Sequence, residues 1–368
     1  MNEHSKLPPS SASRRVACPG SRALEEPFRD GEQSPAAREG TAAHEVAAWY
    51  LNNDGWYGAY ATNGEPVTEE MIEGAKLYRD AVFDGSVYKV LHIEERVDIS
   101  TIHPDCWGTP DCWYVTDYSK ELHIFDYKFG HGYVEVFENW QLIEYAAGIL
   151  ELLEGCENIT VVFHIVQPRT YHPDGTHRTW RVSRNGLKLY FDRLRTAERE
   201  ACNSRALTHV SPECNNCLAR HVCPSLRYAA LEVIDVAYEN TPERLTPENV
   251  GGELRYLMRA KALLDARIEG LTQEATSLIR KGEKVSHFTL QASKGRRCWS
   301  VPIEEVIKLG ELLKVDLVKP KEVITPSQAM HAGIAEELIE VYCPRSHGAL
   351  KLIPIDPQAV HKIFRGDK

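Results

Sequence analysis

Apolar positions along the first two-thirds of the chain change period in a way that orders its elements. Residues 35–51 (Pro-Ala-Ala-Arg-Glu-Gly-Thr-Ala-Ala-His-Glu-Val-Ala-Ala-Trp-Tyr-Leu) have the period and alanine content of a helix. Three stretches rich in β-branched and aromatic residues follow, Leu91 to Ile99, Cys112 to Asp117 and Glu121 to Tyr127, and each predicts a strand. Asn139 to Leu153 returns to helical spacing behind an asparagine suited to cap it. The second and third strands are expected to pair antiparallel across Tyr118-Ser119-Lys120. That pairing sets Asp111, which opens one strand, beside Asp126, which closes the next, at one edge of the sheet. Lys128 lies two positions beyond Asp126 and shares its face, while Gln141 and Tyr145, at i and i+4, share one face of the following helix.

Beyond residue 240 the pattern is helical again. Glu243 to Ile279 carries Leu257, Leu264, Leu271 and Leu278 every seven residues, with Leu254, Ile268 and Ala275 between them. The stripe reads either as packing against the core or as a contact between subunits of a homo-oligomer. Residues 287–301 predict a hairpin with the basic turn Lys294-Gly295-Arg296-Arg297 ahead of Trp299, either a solvated tip or a contact for a DNA strand. Thr325-Pro326 predicts a capped helix running to about Tyr342.

Two carboxylates and an ammonium in one pocket have a chemical purpose. Hydrolysis of a phosphodiester needs a cation to neutralise the phosphate and acidify an attacking water, and oxygen ligands hold Mg2+ or Mn2+ for that task. Lys128 can orient or deprotonate the water, or stabilise charge in the transition state. His44, on the first helix, would add a nitrogen ligand that favours Mn2+. Gln141 and Tyr145 can reach the lysine or a DNA backbone. Each short motif alone is commonplace: an Asp-x-Lys usually marks a solvated strand end. Their order is what carries information. Glu45, Glu94 and Glu144 are read as packing or supporting residues.

Cysteines form the second constellation. Cys214-Asn215-Asn216-Cys217 and Cys223 give Cys-x2-Cys-x5-Cys, without the second Cys-x2-Cys pair of a zinc ribbon. A [4Fe-4S] cluster accepts such uneven spacing and a distant fourth ligand. Cys18, followed by proline like Cys223, is the first candidate, with Cys202, His209 and His221 as competitors. Cys106, Cys112, Cys156, Cys298 and Cys343 are expected to behave as small buried hydrophobes.

Taken together, Gly40-Thr41-x-x-His44, Glu94, Gly108-Thr109-Pro110-Asp111, Asp126-Tyr127-Lys128-Phe129-Gly130, Asn139 to Tyr145 and the set Cys18, Cys214, Cys217 and Cys223 resemble the RecB-type branch of the PD-(D/E)XK nuclease superfamily. The likeness is closest to its iron-sulfur exonucleases, which include the CRISPR adaptation nuclease and phage-encoded RecB-like exonucleases. It spans about residues 8 to 228. It implies a restriction-endonuclease-like αβββαβ core, a mixed central sheet flanked by helices, with an iron-sulfur staple over residues 1–235 and a mostly helical extension over 236–368. It also implies metal ligation by His44, Asp111, Asp126 and the main-chain carbonyl of Tyr127, with Lys128 catalytic, Gln141 and Tyr145 supporting, and a [4Fe-4S] cluster on the four cysteines. One departure is Asp126, where the superfamily often has glutamate. The function implied is a Mg2+- or Mn2+-dependent DNA exonuclease that resects linear ends in phage replication or recombination, with a single-strand annealing or binding protein as partner. The alternative is a noncatalytic iron-sulfur subunit that positions DNA for another enzyme.

Composition narrows these expectations. A chain of 368 residues, 43% hydrophobic and 26% charged, can bury a large core. The polar, Pro/Ser-containing start and the lack of any run of eighteen apolar residues predict a cytoplasmic protein without a membrane span, and ten cysteines in such a chain point to a reducing compartment. A net charge of -10 excludes indiscriminate coating of nucleic acid, so any DNA must be held by a locally basic groove.

Overall fold

The central strand sends apolar side chains to both of its faces, each into its own core. In the computed structural model, which describes residues 5–290 except 30–33, 54, 57, 84–89, 117–120, 154–155, 171 and 239–245, together with Lys308, the elements run in a simple order. Helices α1 (Ala12–Ala17), α2 (Ser21–Glu25), α3 (Pro35–Asn52) and α4 (Glu69–Phe83) come first. They lead into strands β1 (His92–Ile93), β2 (Val97–Asp98), β3 (Trp107–Gly108), β4 (Cys112–Thr116) and β5 (Glu121–Tyr127). Helix α5 (Trp140–Leu152), strands β6 (Thr160–Val166) and β7 (His177–Ser183), and helices α6 (Lys188–Ala201), α7 (Pro224–Tyr238) and α8 (Pro247–Arg280) complete them. Two compact units are formed, 1–283 with 358–368, and 284–357; the second is described only over 284–290 and at Lys308. The expected hairpin tip at 294–297 and the expected helix at 325–342 lie outside the described residues, as do Cys298 and Cys343.

Five strands form a mixed sheet in the order β1-β4-β5-β6-β7, and β2 pairs with β3 apart from it. β4 and β5 are antiparallel with Cys112 opposite Phe125, and β5 and β6 are parallel with Asp126 opposite Ile165. A parallel pair needs a crossover, and α5 provides it. Because side chains alternate, β5 sends Leu122 and Ile124 into one core with α5 and α6, and Phe125 and Tyr127 into another under α3 and α4. Asp126 therefore lies on the α5 face.

The stretch from Leu91 to Ile99 is not one strand. Glu94 adopts φ 50°, which breaks the extended backbone, so β1 joins the main sheet and β2 turns away to pair with β3. Alternation in the sequence does not register one left-handed residue.

A continuous helix, α7, runs through the expected boundary at 235/236. The following helix, α8, is described from Pro247, the expected start at Glu243 lying outside the described residues, and it packs through Ala260, Leu263, Ala266 and Gly270, while Leu257, Ile268 and Leu271 stay exposed. No described helix is long and apolar enough to cross a membrane.

A buried ion network ties the N-terminal segment to this frame. Arg15 of α1, 1% exposed, donates from Nε to Glu198 of α6 at 2.5 Å and from a terminal nitrogen to Glu144 of α5 at 3.3 Å. The Cys106 thiol donates to the other Glu144 oxygen at 3.3 Å. One cation between two carboxylates leaves an excess negative charge in a dry place. Burial, opposed by Arg15 and aided by Glu198, pushes the Glu144 carboxyl up to about 8. A carboxyl raised in the folded state gives a contribution to stability that is fully present in acid and is lost as pH rises through that value. Urea unfolding at pH 5 through 8 is expected to show stability falling over that window, and Glu144→Gln is expected to flatten the slope. Arg15→Ala, which strands two buried carboxylates, is expected to cost about 3–5 kcal/mol in the same measurement at neutral pH.

Candidate functional site

The end of the sheet where β4 begins and β5 finishes gathers the polar residues singled out above. Extended backbone at Thr109 and Pro110 delivers Asp111 just ahead of β4, and its Oδ2 accepts the Tyr127 main-chain N–H at 2.6 Å. Within a strand the N–H and C=O of one residue point the same way, so the Tyr127 carbonyl also faces the Asp111 side. From α3, His44 Nδ1 meets Asp111 Oδ1 at 3.2 Å. Asp126, 3% exposed, lies on the other face of β5, where α5 covers it. Its Oδ1 accepts from Lys128 Nζ at 3.0 Å and from Gln141 Nε2 at 2.9 Å, and Lys128 also donates to Gln141 Oε1 at 3.2 Å. These three side chains close a hydrogen-bonded triangle. The Tyr145 hydroxyl, one turn along α5, donates to the Thr109 carbonyl at 3.1 Å and so holds the approach to Asp111.

Gly108 shows how tightly this end is assembled. A Cβ there would come within 2.8 Å of Pro9 and of the Tyr145 ring, so only glycine lets the N-terminal segment and α5 close over the β3–β4 connection.

The ligand geometry adds one residue to the expected set. Ligand atoms of His44, Glu94 and Asp111 all lie within 4.8 Å of one another. Glu94 arrives through the same left-handed turn that ends β1: its N–H donates to the Asp111 carbonyl at 3.2 Å, which continues the β1–β4 register by one residue. A charged residue just past a strand end, one step from pairing with Asp111, is the signal that could have found it. Asp126 stands outside that trio, yet its Oδ2 is buried and has no hydrogen-bond partner among the described residues. An orphaned carboxylate oxygen beside three further ligand atoms suits a divalent cation with hard oxygen ligands and one imidazole.

Charge states at the site follow from this crowding. Burial works against the Asp111 anion, but the His44 imidazole, Lys128 and the Tyr127 N–H together hold it below the usual carboxylate range. Asp126 moves the other way, raised by burial in spite of Lys128. Glu94 opens to solvent on one side, but lost hydration of its carboxyl and the charge of Asp111 push it up to about 7. For Lys128, burial opposes the charge, and the two aspartates more than offset it, so it stays an ammonium at neutral pH.

Cysteines gather about a second site. Cys18, Cys214, Cys217 and Cys223 line one cavity together with Ser21, His209 and Leu226, whereas Cys202 is exposed and His221 does not line it. Main-chain N–H groups of His209, Ser211 and Leu226 donate to the sulfurs of Cys18, Cys214 and Cys223 at 3.2, 3.4 and 3.5 Å. Ser21 Oγ, buried at the wall, has no partner. Among the described residues no three of these sulfurs lie within 4.8 Å of one another. Four thiolates on a single ion would sit about 3.8 Å apart, given metal–sulfur bonds of about 2.3 Å. The sulfurs are thus spaced more widely than four thiolates on a single ion. Cys106 and Cys112 are buried away from it and Cys156 is half-buried.

Protonation of Glu94 competes with a cation, which sets a pH test of the trio. Mn2+ affinity, read by calorimetry, is expected to tighten as pH rises through about 7, Glu94→Gln is expected to flatten that dependence, and Asp111→Asn to abolish binding.

A family model described as a protein of unknown function (DUF2800) matches residues 4–359, and the chain belongs to that family.

Proposed function

We propose that this chain is a metal-dependent deoxyribonuclease built on a PD-(D/E)XK-type core. What carries the reading is the buried, unpartnered Asp126 Oδ2, beside the His44, Glu94 and Asp111 trio and in reach of a lysine held as an ammonium. Glu198 Oε1 in the Arg15 network is likewise buried without a partner, so the orphaned oxygen points to an ion because candidate ligands and a lysine gather at the same end of the sheet.

His44, Asp111, Asp126 and the Tyr127 carbonyl would hold Mg2+ or Mn2+, with Glu94 as a further ligand. The bound cation would screen the scissile phosphate and acidify a water. Lys128, kept charged by two aspartates, orients that water and stabilises the anionic phosphate rather than removing a proton. Gln141 bridges Lys128 and Asp126 and fixes both. Through Thr109, Tyr145 sets the depth of Asp111. The preference for linear ends, the setting of phage recombination and an annealing protein as partner rest on the resemblance.

The four-cysteine cavity is read as the seat of a [4Fe-4S] cluster. Its role would be structural, since it closes a loop between Cys18 and Cys214. Nitrogen ligands and the exposed Cys202 are not needed to complete it.

Linear duplex and closed circles incubated with Mn2+ or Mg2+ test the activity: linear DNA is expected to disappear while circles persist. Asp111→Ala, Asp126→Ala and Lys128→Ala are each expected to lower the rate on the order of 10^2-fold or more. Normal rates in any of the three would sink the assignment. Visible absorbance of anaerobically purified protein tests the cluster: Cys18→Ser is expected to bleach it and Cys202→Ser to keep it.

A further inference from the structure

One basic stretch stands out in this acidic chain. Between residues 177 and 199 there are seven basic residues (Arg178, Arg181, Arg184, Lys188, Arg193, Arg195 and Arg199) against two acidic ones, Asp192 and Glu198, while the chain as a whole carries -10. Arg15 neutralises Glu198 inside the protein. Lys188, Arg193 and Arg199 have no carboxylate partner among the described residues. The stretch forms β7, an outermost strand of the sheet, and most of α6.

Along it lies a groove of about 650 Å3 between β7, α6 and the first turn of α5. Its apolar surface is aromatic: Trp180 forms the floor, and Tyr190 stands edge-on to both Trp180 and Trp140, at centroid distances of 5.9 and 5.7 Å. Trp140 and Tyr190 are half-buried, so part of each ring faces the groove. Arg193 sits over the Trp140 ring at 5.0 Å, and Arg181, ion-paired with Glu121, also lines the wall. The one acidic side chain, Glu138, accepts from the Tyr190 hydroxyl at 2.6 Å and thereby fixes that ring. Trp140 precedes Gln141, which binds Asp126 and Lys128, so the groove begins one residue from the candidate metal centre.

We propose that this groove binds a single-stranded segment of DNA, with bases stacked on Trp140 and Tyr190 and phosphates met by Arg193. The proposal rests on the nuclease reading and deepens it by naming the form of substrate beside the site. Aromatic faces recessed between cations suit unpaired bases, since a duplex keeps its base faces stacked inside and offers a groove of this kind only phosphates. Arg193 can leave the ring for a phosphate as a base takes its place, so the cation is conserved in number and only changes partner. A strand entering here would pass the start of α5 on its way to Asp126.

Fluorescence anisotropy of a labelled oligothymidylate in EDTA tests the groove without any hydrolysis. The full-length protein is expected to bind it more tightly than a blunt duplex of equal length. Arg193→Glu, at an exposed position that leaves the fold intact, is expected to weaken binding roughly tenfold and to lower the salt slope by about one. Trp140→Leu is expected to weaken it roughly tenfold by loss of stacking, with circular dichroism as the check that the half-buried substitution still folds. Equal affinity of Arg193→Glu and the parent, or a charge effect on the duplex alone, would overturn the proposal. The nuclease reading fails separately: oligothymidylate bound at the groove with no loss of linear DNA in Mn2+ removes the reaction and keeps the groove, while DNA loss with Arg193→Glu binding unchanged does the reverse.

Discussion

Burying the Asp126 carboxylate at the end of a strand covered on both faces is costly unless its oxygens find partners, and the architecture around β5 answers that cost. One oxygen is met by Lys128 and Gln141, which draws α5 against the end of the sheet. The other has no protein donor. The charge of Asp111 acts on both Asp126 and Glu94, and the lysine offsets only part of it. This crowding raises the His44 imidazole and pushes the Glu94 carboxyl up to about 7, and a divalent cation would relieve it.

A second buried imbalance, at Arg15, does mechanical work. Arg15 lies three residues before Cys18, and its two carboxylates come from α5 and α6. Glu144 is the residue before Tyr145 and three after Gln141, so the helix that places both supporting side chains is gripped from the N-terminal segment that also enters the cysteine cavity. Rigid elements joined by a dry ion network hold position better than loops do. Gly108, pressed between Pro9 and Tyr145, closes the same contact from the other side.

How far the sequence revealed this varied with distance along the chain. The β4–β5 pairing, the shared face of Asp126 and Lys128, and the helix bearing Gln141 and Tyr145 are set by local periodicity, and they were legible. Cys18 was chosen over Cys202 by its resemblance to Cys223, and the cavity places Cys18 rather than Cys202 with the other three. Glu94 was passed over as a ligand, because a left-handed residue at a strand end leaves no trace in an apolar pattern. The Arg15, Glu144 and Glu198 network joins residues 129 and 183 positions apart, and partners so remote share no motif. The groove at Trp140 and Tyr190 was hidden for the same reason: α5 and α6 each show an ordinary amphipathic face, and only their meeting makes a recess.

The order in which the chain leaves the ribosome gives the ion network a temporal meaning. Every residue of the candidate metal centre, from His44 to Tyr145, is made before Glu198, and the cysteine trio ends only at Cys223, 78 positions after Tyr145. At about 5–20 residues per second, those 78 positions take several seconds. Until Glu198 is added, Arg15 has only one of its two carboxylates, and until Cys214 is added, Cys18 has none of its companions. A nascent chain therefore carries the residues of the candidate centre before Glu198 completes the clamp that seats α5.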